Sequence, residues 1–167
     1  MELQIACVAL FALNLILVWK VPAHRTIGSL IFLILPLVTV FIPQPHFELD
    51  YYWWRVAGAG LIAAGLGLMV WVKLTTGRTI LELGSTPAEL AIKGPYEFFR
   101  HPVYLGVVFI QVGWWWLFAA VYSFYFGMFM AALIWLQGYL EEKLIMLPKF
   151  GDQFRDYQKS TGMFWVK

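Results

Sequence analysis

The chain has 167 residues, of which 61% are hydrophobic, 19% aromatic and only 13% charged, and its net charge is +2. This composition excludes an ordinary soluble domain and predicts a single integral membrane domain over residues 1–167, with no nucleic-acid partner. The one cysteine, Cys7, excludes an intramolecular disulfide and a cysteine-based metal cluster.

Five apolar stretches are each long enough to cross a bilayer as a helix that rises about 1.5 Å per residue. They predict an all-α integral membrane protein with five transmembrane helices, over residues 3–19, 27–42, 53–72, 103–121 and 123–140. The first stretch does not fit a secretory signal, because its positive charges, Lys20 and Arg25, follow it. Small residues at four-residue spacing in the third stretch favour close helix packing.

Two prolines bracket the polar stretch that precedes the fourth span. Pro95 predicts the start of a short helix, and Pro102 predicts the start of the fourth span. Because the residue before a proline is excluded from the helical region, we expect His101 to be extended. The first turn of the fourth span has unpaired N–H groups beside Arg100, which predicts an anion site at the membrane surface.

The basic residues predict the orientation of the chain. With five spans and the amino terminus outside, the inner segments carry eleven of the twelve Lys and Arg residues, and only Arg55 lies outside. The positive-inside rule therefore places the carboxyl terminus in the cytoplasm, together with the proline-bracketed stretch.

The last two spans predict a hairpin whose turn lies at Tyr122. Val103 and Glu141 are both 19 residues from Tyr122, so equal helix rise brings Glu141 and Glu142 to the depth of Arg100. Two carboxylates at a helix carboxyl end are unfavourable unless a cation compensates them, and Arg100 or a positively charged ligand can do so. Beyond this pair, an amphipathic pattern predicts a short carboxyl-terminal helix at Lys149–Ser160.

Four short motifs resemble, in their order and spacing, those of the isoprenylcysteine carboxyl methyltransferase (ICMT) family and its wider relatives, the membrane phospholipid methyltransferases. The resemblance runs from Glu89 to Tyr157. The motifs are Gly94-Pro95-Tyr96, Arg100-His101-Pro102-x-Tyr104-x-Gly106, Glu141-Glu142, and Phe150-Gly151 followed by Phe154 and Tyr157.

The resemblance implies a methyltransferase that uses S-adenosylmethionine (SAM) at the cytoplasmic face and methylates a lipophilic acceptor, either an isoprenylcysteine-like carboxylate or a lipid. Residues 1–73 are then three amino-terminal spans, and residues 74–167 are the cofactor-binding catalytic part. The implied cofactor-binding residues are Lys93, Gly94, Tyr96, His101, Pro102, Tyr104, Leu105, Gly106, Glu141 and Glu142.

The chemistry of SAM suits these residue types. Its carboxylate suits the helix start beside Arg100, and its ammonium and ribose hydroxyls suit Glu141 or Glu142. A tyrosine ring such as that of Tyr104 can pack on the cation, and Gly106 can allow the ligand to come close. Arg100 and Glu142 are also candidate catalytic residues.

One departure from the family pattern concerns the acceptor. Family members often carry basic residues one turn before the glutamate pair, where this chain has Gln137-Gly138-Tyr139-Leu140. If those basic residues orient a carboxylate, the acceptor here differs from a prenylated cysteine. Arg155 is the nearest remaining candidate for that catalytic role.

Two other functions fit the sequence. One is an NADPH-dependent membrane reductase of the sterol reductase type, although its phosphate would favour more basic residues than Arg100, Lys93 and Arg78 provide. The other is a non-enzymatic membrane subunit, in which the glutamate pair and Arg100 simply pair across the hairpin.

Overall fold

The computed structural model describes residues 2–20, 25–49, 51–77 and 88–167, so Arg78 lies outside the described residues. Within these ranges the regular structure is helical, without a named strand, which confirms the prediction of an all-α chain. The α-helices are α1 (Glu2–Lys20), α2 (Arg25–Val38), α3 (Tyr51–Thr76), α4 (Pro102–Phe118), α5 (Val121–Glu141) and α6 (Leu147–Ser160).

Two of the described helical stretches are long and apolar enough to cross a membrane. They are Tyr52–Thr76, within α3, and Val121–Ser160, whose apolar part is α5. The apolar parts of α1 and α4, Ile5–Asn14 and Pro102–Phe118, are shorter. Helices α1 to α5 follow the five predicted stretches closely, whereas the crossing of the membrane by all five stays a prediction.

The turn of the last hairpin does not lie at Tyr122, as predicted, but at Ala119 and Ala120. Ala119 adopts the left-handed conformation with φ 51°, and Tyr122 lies in the first turn of α5. The loop after α2 fixes this position, because the Phe47 N–H donates to the Ala119 carbonyl at 2.8 Å and the Val121 N–H donates to the Pro45 carbonyl at 3.1 Å. These bonds satisfy backbone groups that the turn leaves without helical partners.

Helices α3 and α4 pack through glycines that face each other. A Cβ atom on Gly65 would lie 2.6 Å from the carbonyl oxygen of Gly106, and one on Gly58 would lie 2.6 Å from that of Gly113. The predicted close packing of the third span is therefore confirmed, and it holds the start of α4 against α3.

The main hydrophobic core lies between α1, α4 and α5. Its buried members are Phe11, Tyr104, Val107, Phe126, Met130 and Ile134. A second core lies near the hairpin turn, where the fully buried Trp115 packs with Val40 and Ala120. Tyr104 thus links the interior of the helix bundle to the polar residues at the start of α4.

Gly127 is the residue of α5 on which the Trp115 indole lies. A Cβ atom at this position would lie only 1.8–2.1 Å from three carbon atoms of the six-membered ring of Trp115. We therefore expect Gly127→Ala to lower the free energy of unfolding by about 1–3 kcal/mol through overpacking. Thermal unfolding in detergent measures this change, with Gly60→Ala as the matched control because a Cβ atom there has no neighbour within 4 Å. Equal melting temperatures for the two variants would contradict the packing of Trp115.

Candidate active site

A short turn leads the chain into the site. Residues Gly94–Glu97 form a 3-10 turn with Pro95 in its first positions, which confirms the predicted short helix. Gly94 has φ 63°, a conformation that favours glycine, and its N–H donates to Glu97 Oε1 at 3.0 Å. The turn is anchored to α6 by the Tyr157 hydroxyl, which donates to the Tyr96 carbonyl.

The step before α4 departs from helical geometry, as predicted, but His101 is not in the extended conformation that we expected. Pro102 begins α4, and His101 at its amino end has φ −127° and ψ 61°. The Arg100 N–H donates to the Gly162 carbonyl at 2.9 Å, and the His101 N–H donates to the Met163 carbonyl at 3.2 Å. Residues 161–164, which we call the carboxyl-terminal strap, therefore hold this step in place.

The carboxylate of Glu142 joins the Arg100-His101 step before α4 to Gln158 in α6. Arg100 donates to it twice, from Nε at 2.7 Å and from Nη2 at 3.2 Å, and Gln158 Nε2 donates at 2.7 Å. His101 Nε2 lies 3.1 Å from Glu142 Oε1. Glu142 is only 4% exposed and His101 is 6% exposed. The predicted approach of the glutamate pair to the Arg100-His101 step is confirmed for Glu142, and we call Arg100, His101, Glu142 and Gln158 the ion-pair cluster.

The cluster determines the charge of Glu142, which lies beyond the apolar stretch of residues 123–140. Burial alone would raise the pKa of this carboxyl, but the hydrogen bonds and positive charge of His101 and Arg100 outweigh burial and lower the pKa to about 2. Glu142 is consequently ionised at neutral pH and holds the guanidinium as a true ion pair.

This low pKa predicts an acid-sensitive contribution to stability. A carboxyl whose folded pKa is depressed stabilises the fold above its ordinary pKa, here 4.5, and the contribution is lost as the pH falls toward 2. We expect the melting temperature of the wild type to fall through this range and that of Glu142→Gln to fall less. Glu48→Gln, at an exposed loop position, is the control. Parallel melting curves for wild type and Glu142→Gln across this pH range would contradict the ion pair.

Glu141 has different partners. The Tyr104 hydroxyl donates to Glu141 Oε2 at 2.7 Å, and Gln137 hydrogen-bonds to the same tyrosine. Among the described residues Tyr104 is the one that hydrogen-bonds to Glu141, which is 8% exposed. The Tyr104 ring lies 5.3 Å from the His101 ring. The aromatic partner of Glu141 therefore lies next to the partner of Glu142. Both oxygens of Glu142 accept from protein groups, whereas among the described residues Glu141 accepts a hydrogen bond from Tyr104 at one oxygen.

The guanidinium of Arg100 is directed at protein groups. Besides Glu142 it donates to the carbonyl of Thr161 in the strap. Its bonds therefore hold the site together, rather than forming the anion site that we expected at the first turn of α4. Arg155 is not brought to the cluster, because its side chain is 67% exposed and pairs with Asp152 at 2.8 Å.

The remaining predicted cofactor residues are not members of the ion-pair cluster. Tyr96, Pro102 and Leu105 are buried, and Lys93 is exposed. Gly106 faces α3, where a Cβ atom would lie 2.8 Å from Met69 Cγ. Its missing side chain makes room for a helix, and a role beside a ligand stays a prediction.

Gln158 and the strap were not predicted from the sequence as parts of the site. The amphipathic pattern of α6 contained a signal for Gln158, since it lies four residues after the inward-facing Phe154 and thus on the same face. The pairing of the strap with Arg100 and His101 is made mainly by backbone groups, so residue types carry no signal for it.

Comparison with known proteins gives a family but no individual relative. No curated protein and no solved structure matches the chain. The model of the phospholipid methyltransferase family matches residues 53–153, which run from α3 into α6 and include Arg100, His101 and both glutamates. This match confirms the resemblance to the membrane phospholipid methyltransferases. Because it spans more than half of the sequence, the chain belongs to the phospholipid methyltransferase family.

Proposed function

We propose that the protein is a SAM-dependent membrane methyltransferase that transfers a methyl group to a lipophilic acceptor. Its family consists of methyltransferases that act on lipid-like substrates, which supports the reaction class. The observation that carries the proposal is the binding of Glu142 to Arg100 and His101, next to the bond of Glu141 to Tyr104, in a buried position at one end of α4 and α5.

The charge of these residues fits SAM. With a neutral His101, Arg100, Glu141 and Glu142 together carry one negative charge, and a buried carboxylate without a compensating cation is costly. SAM carries a carboxylate, an ammonium and a sulfonium, which sum to one positive charge. Glu141, held by Tyr104, is the residue that would accept from the ammonium or the ribose hydroxyls. When bound, SAM would supply a sulfonium methyl group: a nucleophile would bond to its carbon in line with the breaking S–C bond, and SAH would leave as a neutral thioether.

The protein contributes alignment and exclusion of water. The Tyr104 ring lies 5.3 Å from the His101 ring, and a tyrosine ring favours a neighbouring cation. The buried carboxylates lie where few waters can compete, so charges act at low dielectric. For an acceptor that loses a proton on methylation, His101, hydrogen-bonded to Glu142, is the candidate base.

The acceptor that the charges favour is one whose reacting atom is uncharged. Arg100 is committed to Glu142, Arg155 is exposed, and Gln137 and Gly138 occupy the turn before the glutamates. Among the described residues the cluster therefore offers no lysine and no second arginine to orient a carboxylate. An amine or hydroxyl of a lipid headgroup fits this balance better than an isoprenylcysteine carboxylate of the ICMT type.

The proposed topology has α1 to α5 crossing the membrane, with the amino terminus outside and the site in the cytoplasm. Its support is the distribution of Lys and Arg along the sequence, since only Arg55 falls on the outer side. The whole chain then forms one membrane-embedded methyltransferase domain, in which the cofactor arrives from water and the acceptor from the bilayer.

Calorimetric titration of the detergent-solubilised protein with S-adenosylhomocysteine (SAH), the demethylated product, tests the proposal. We expect binding in the micromolar range that Glu141→Gln abolishes and Glu48→Gln preserves. No binding of SAH or SAM by the wild type would refute the proposal. Binding of NADPH instead would favour the reductase, and binding of none of these ligands would favour the non-enzymatic subunit.

A further inference from the structure

The carboxyl-terminal strap, residues 161–164, lies outside the range that the family model matches, yet it covers the candidate active site. Two backbone hydrogen bonds attach it to Arg100 and His101, and a parallel bridge joins Gly162 to Phe99. The Arg100 guanidinium donates to the Thr161 carbonyl. The strap is thus tied to the same arginine that binds Glu142.

The strap places two apolar side chains against the site. Phe164 packs on the main hydrophobic core and its ring lies 5.9 Å from that of His101. Met163 is buried and fills the space over Gly138, where a Cβ atom would lie 2.7 Å from Met163 Cε and 3.5 Å from both Phe164 Cζ and His101 Cδ2. Met163 and Phe164 therefore pack beside His101 against the Gly138 turn of α5.

A ligand cannot reach the glutamates unless part of this enclosure moves. Glu141, Glu142 and His101 are each less than a tenth exposed. Helices α4 and α5 are held by glycine contacts and by the core, so displacing either would separate buried surfaces. The strap is also buried at Thr161 and Met163, but it is a short non-helical segment held by a few hydrogen bonds, so moving it separates less buried surface than moving α4 or α5 does.

We infer that the strap is the gate of the cofactor site, and that Met163 and Phe164 are the residues that close it over the nucleoside. The inference rests on the proposed function, since SAM or SAH is the ligand that the gate admits. Opening breaks the bonds from the Arg100 and His101 N–H groups, and closing restores them together with the contact of Phe164 with His101.

Surface plasmon resonance with SAH on the full-length, detergent-solubilised protein tests the gate. A gate sets one barrier for entry and exit, so in the double variant Met163→Ala/Phe164→Ala we expect both the association and the dissociation rate to rise about tenfold. The dissociation constant then changes much less than either rate. Phe164→Leu, which retains an apolar side chain, should raise both rates by a smaller factor. Val166→Ala is the matched control, because Val166 lies just beyond the strap and is 62% exposed.

The outcomes separate this inference from the proposed function. If the wild type binds SAH and the variants keep wild-type rates, the strap is not a gate. A higher dissociation rate with an unchanged association rate would also overturn the gate, because Phe164 would then be only a contact of the bound ligand. A wild type that binds no SAH would refute the proposed function, and the gate with it.

Discussion

Replacing Glu142 with alanine is expected to abolish SAH binding and to lower the free energy of unfolding by about 3–5 kcal/mol, the usual effect of breaking a buried ion pair. The variant leaves the Arg100 guanidinium buried without its carboxylate and removes the acceptor for His101 and Gln158. Chemical denaturation in mixed detergent measures the stability, and calorimetry measures the binding.

A double variant distinguishes the two parts of this effect. Arg100→Met/Glu142→Met replaces the charged pair with apolar side chains, which often restores stability. We expect it to unfold closer to the wild type than Glu142→Ala does, while SAH binding stays absent. Wild-type stability of Glu142→Ala would show that the pair contributes nothing to the fold, contrary to its burial and its bidentate geometry.

Gly65→Ala is expected to separate α3 from α4. Its Cβ atom would lie 2.6 Å from the Gly106 carbonyl oxygen and 3.0 Å from the Ile110 amide nitrogen, and backbone atoms cannot turn aside as a side chain can. We expect a loss of about 1–3 kcal/mol of stability, together with weaker SAH binding because the start of α4 carries His101 and Tyr104. Unfolding and titration of the purified variant measure both effects.

Gly67 provides the matched control for this substitution. It lies two residues along the same helix, and a Cβ atom there has no neighbour within 4 Å. We expect Gly67→Ala to be as stable as the wild type or more stable by up to about 1 kcal/mol, because alanine favours helices more than glycine does. Equal stability of the Gly65→Ala and Gly67→Ala variants would contradict the contact between α3 and α4.

The sequence was sufficient for the helices and for the approach of Glu142 to Arg100, because apolar length and proline positions are local signals. The sequence was insufficient where contacts between segments far apart in the chain determine the position of a turn or the partner of a side chain. The hairpin turn lies at Ala119 because the loop at Pro45 and Phe47 bonds to it, and no glycine or proline marks that position. The sequence also could not distinguish a guanidinium that binds a ligand from one that binds the strap carbonyl of Thr161.

An assay of methyl transfer from SAM to a lipid directly tests the proposed reaction. The purified protein is incubated with SAM labelled in its methyl group and with vesicles that contain phosphatidylethanolamine or a farnesylated cysteine, and label is counted in the organic extract. We predict label in the lipid that alkali does not release as volatile methanol, because the methyl group is not held in an ester. We predict no label with Glu141→Gln. Label that stays in the aqueous phase with both acceptors, from a protein that binds SAH, would contradict a lipid methyltransferase.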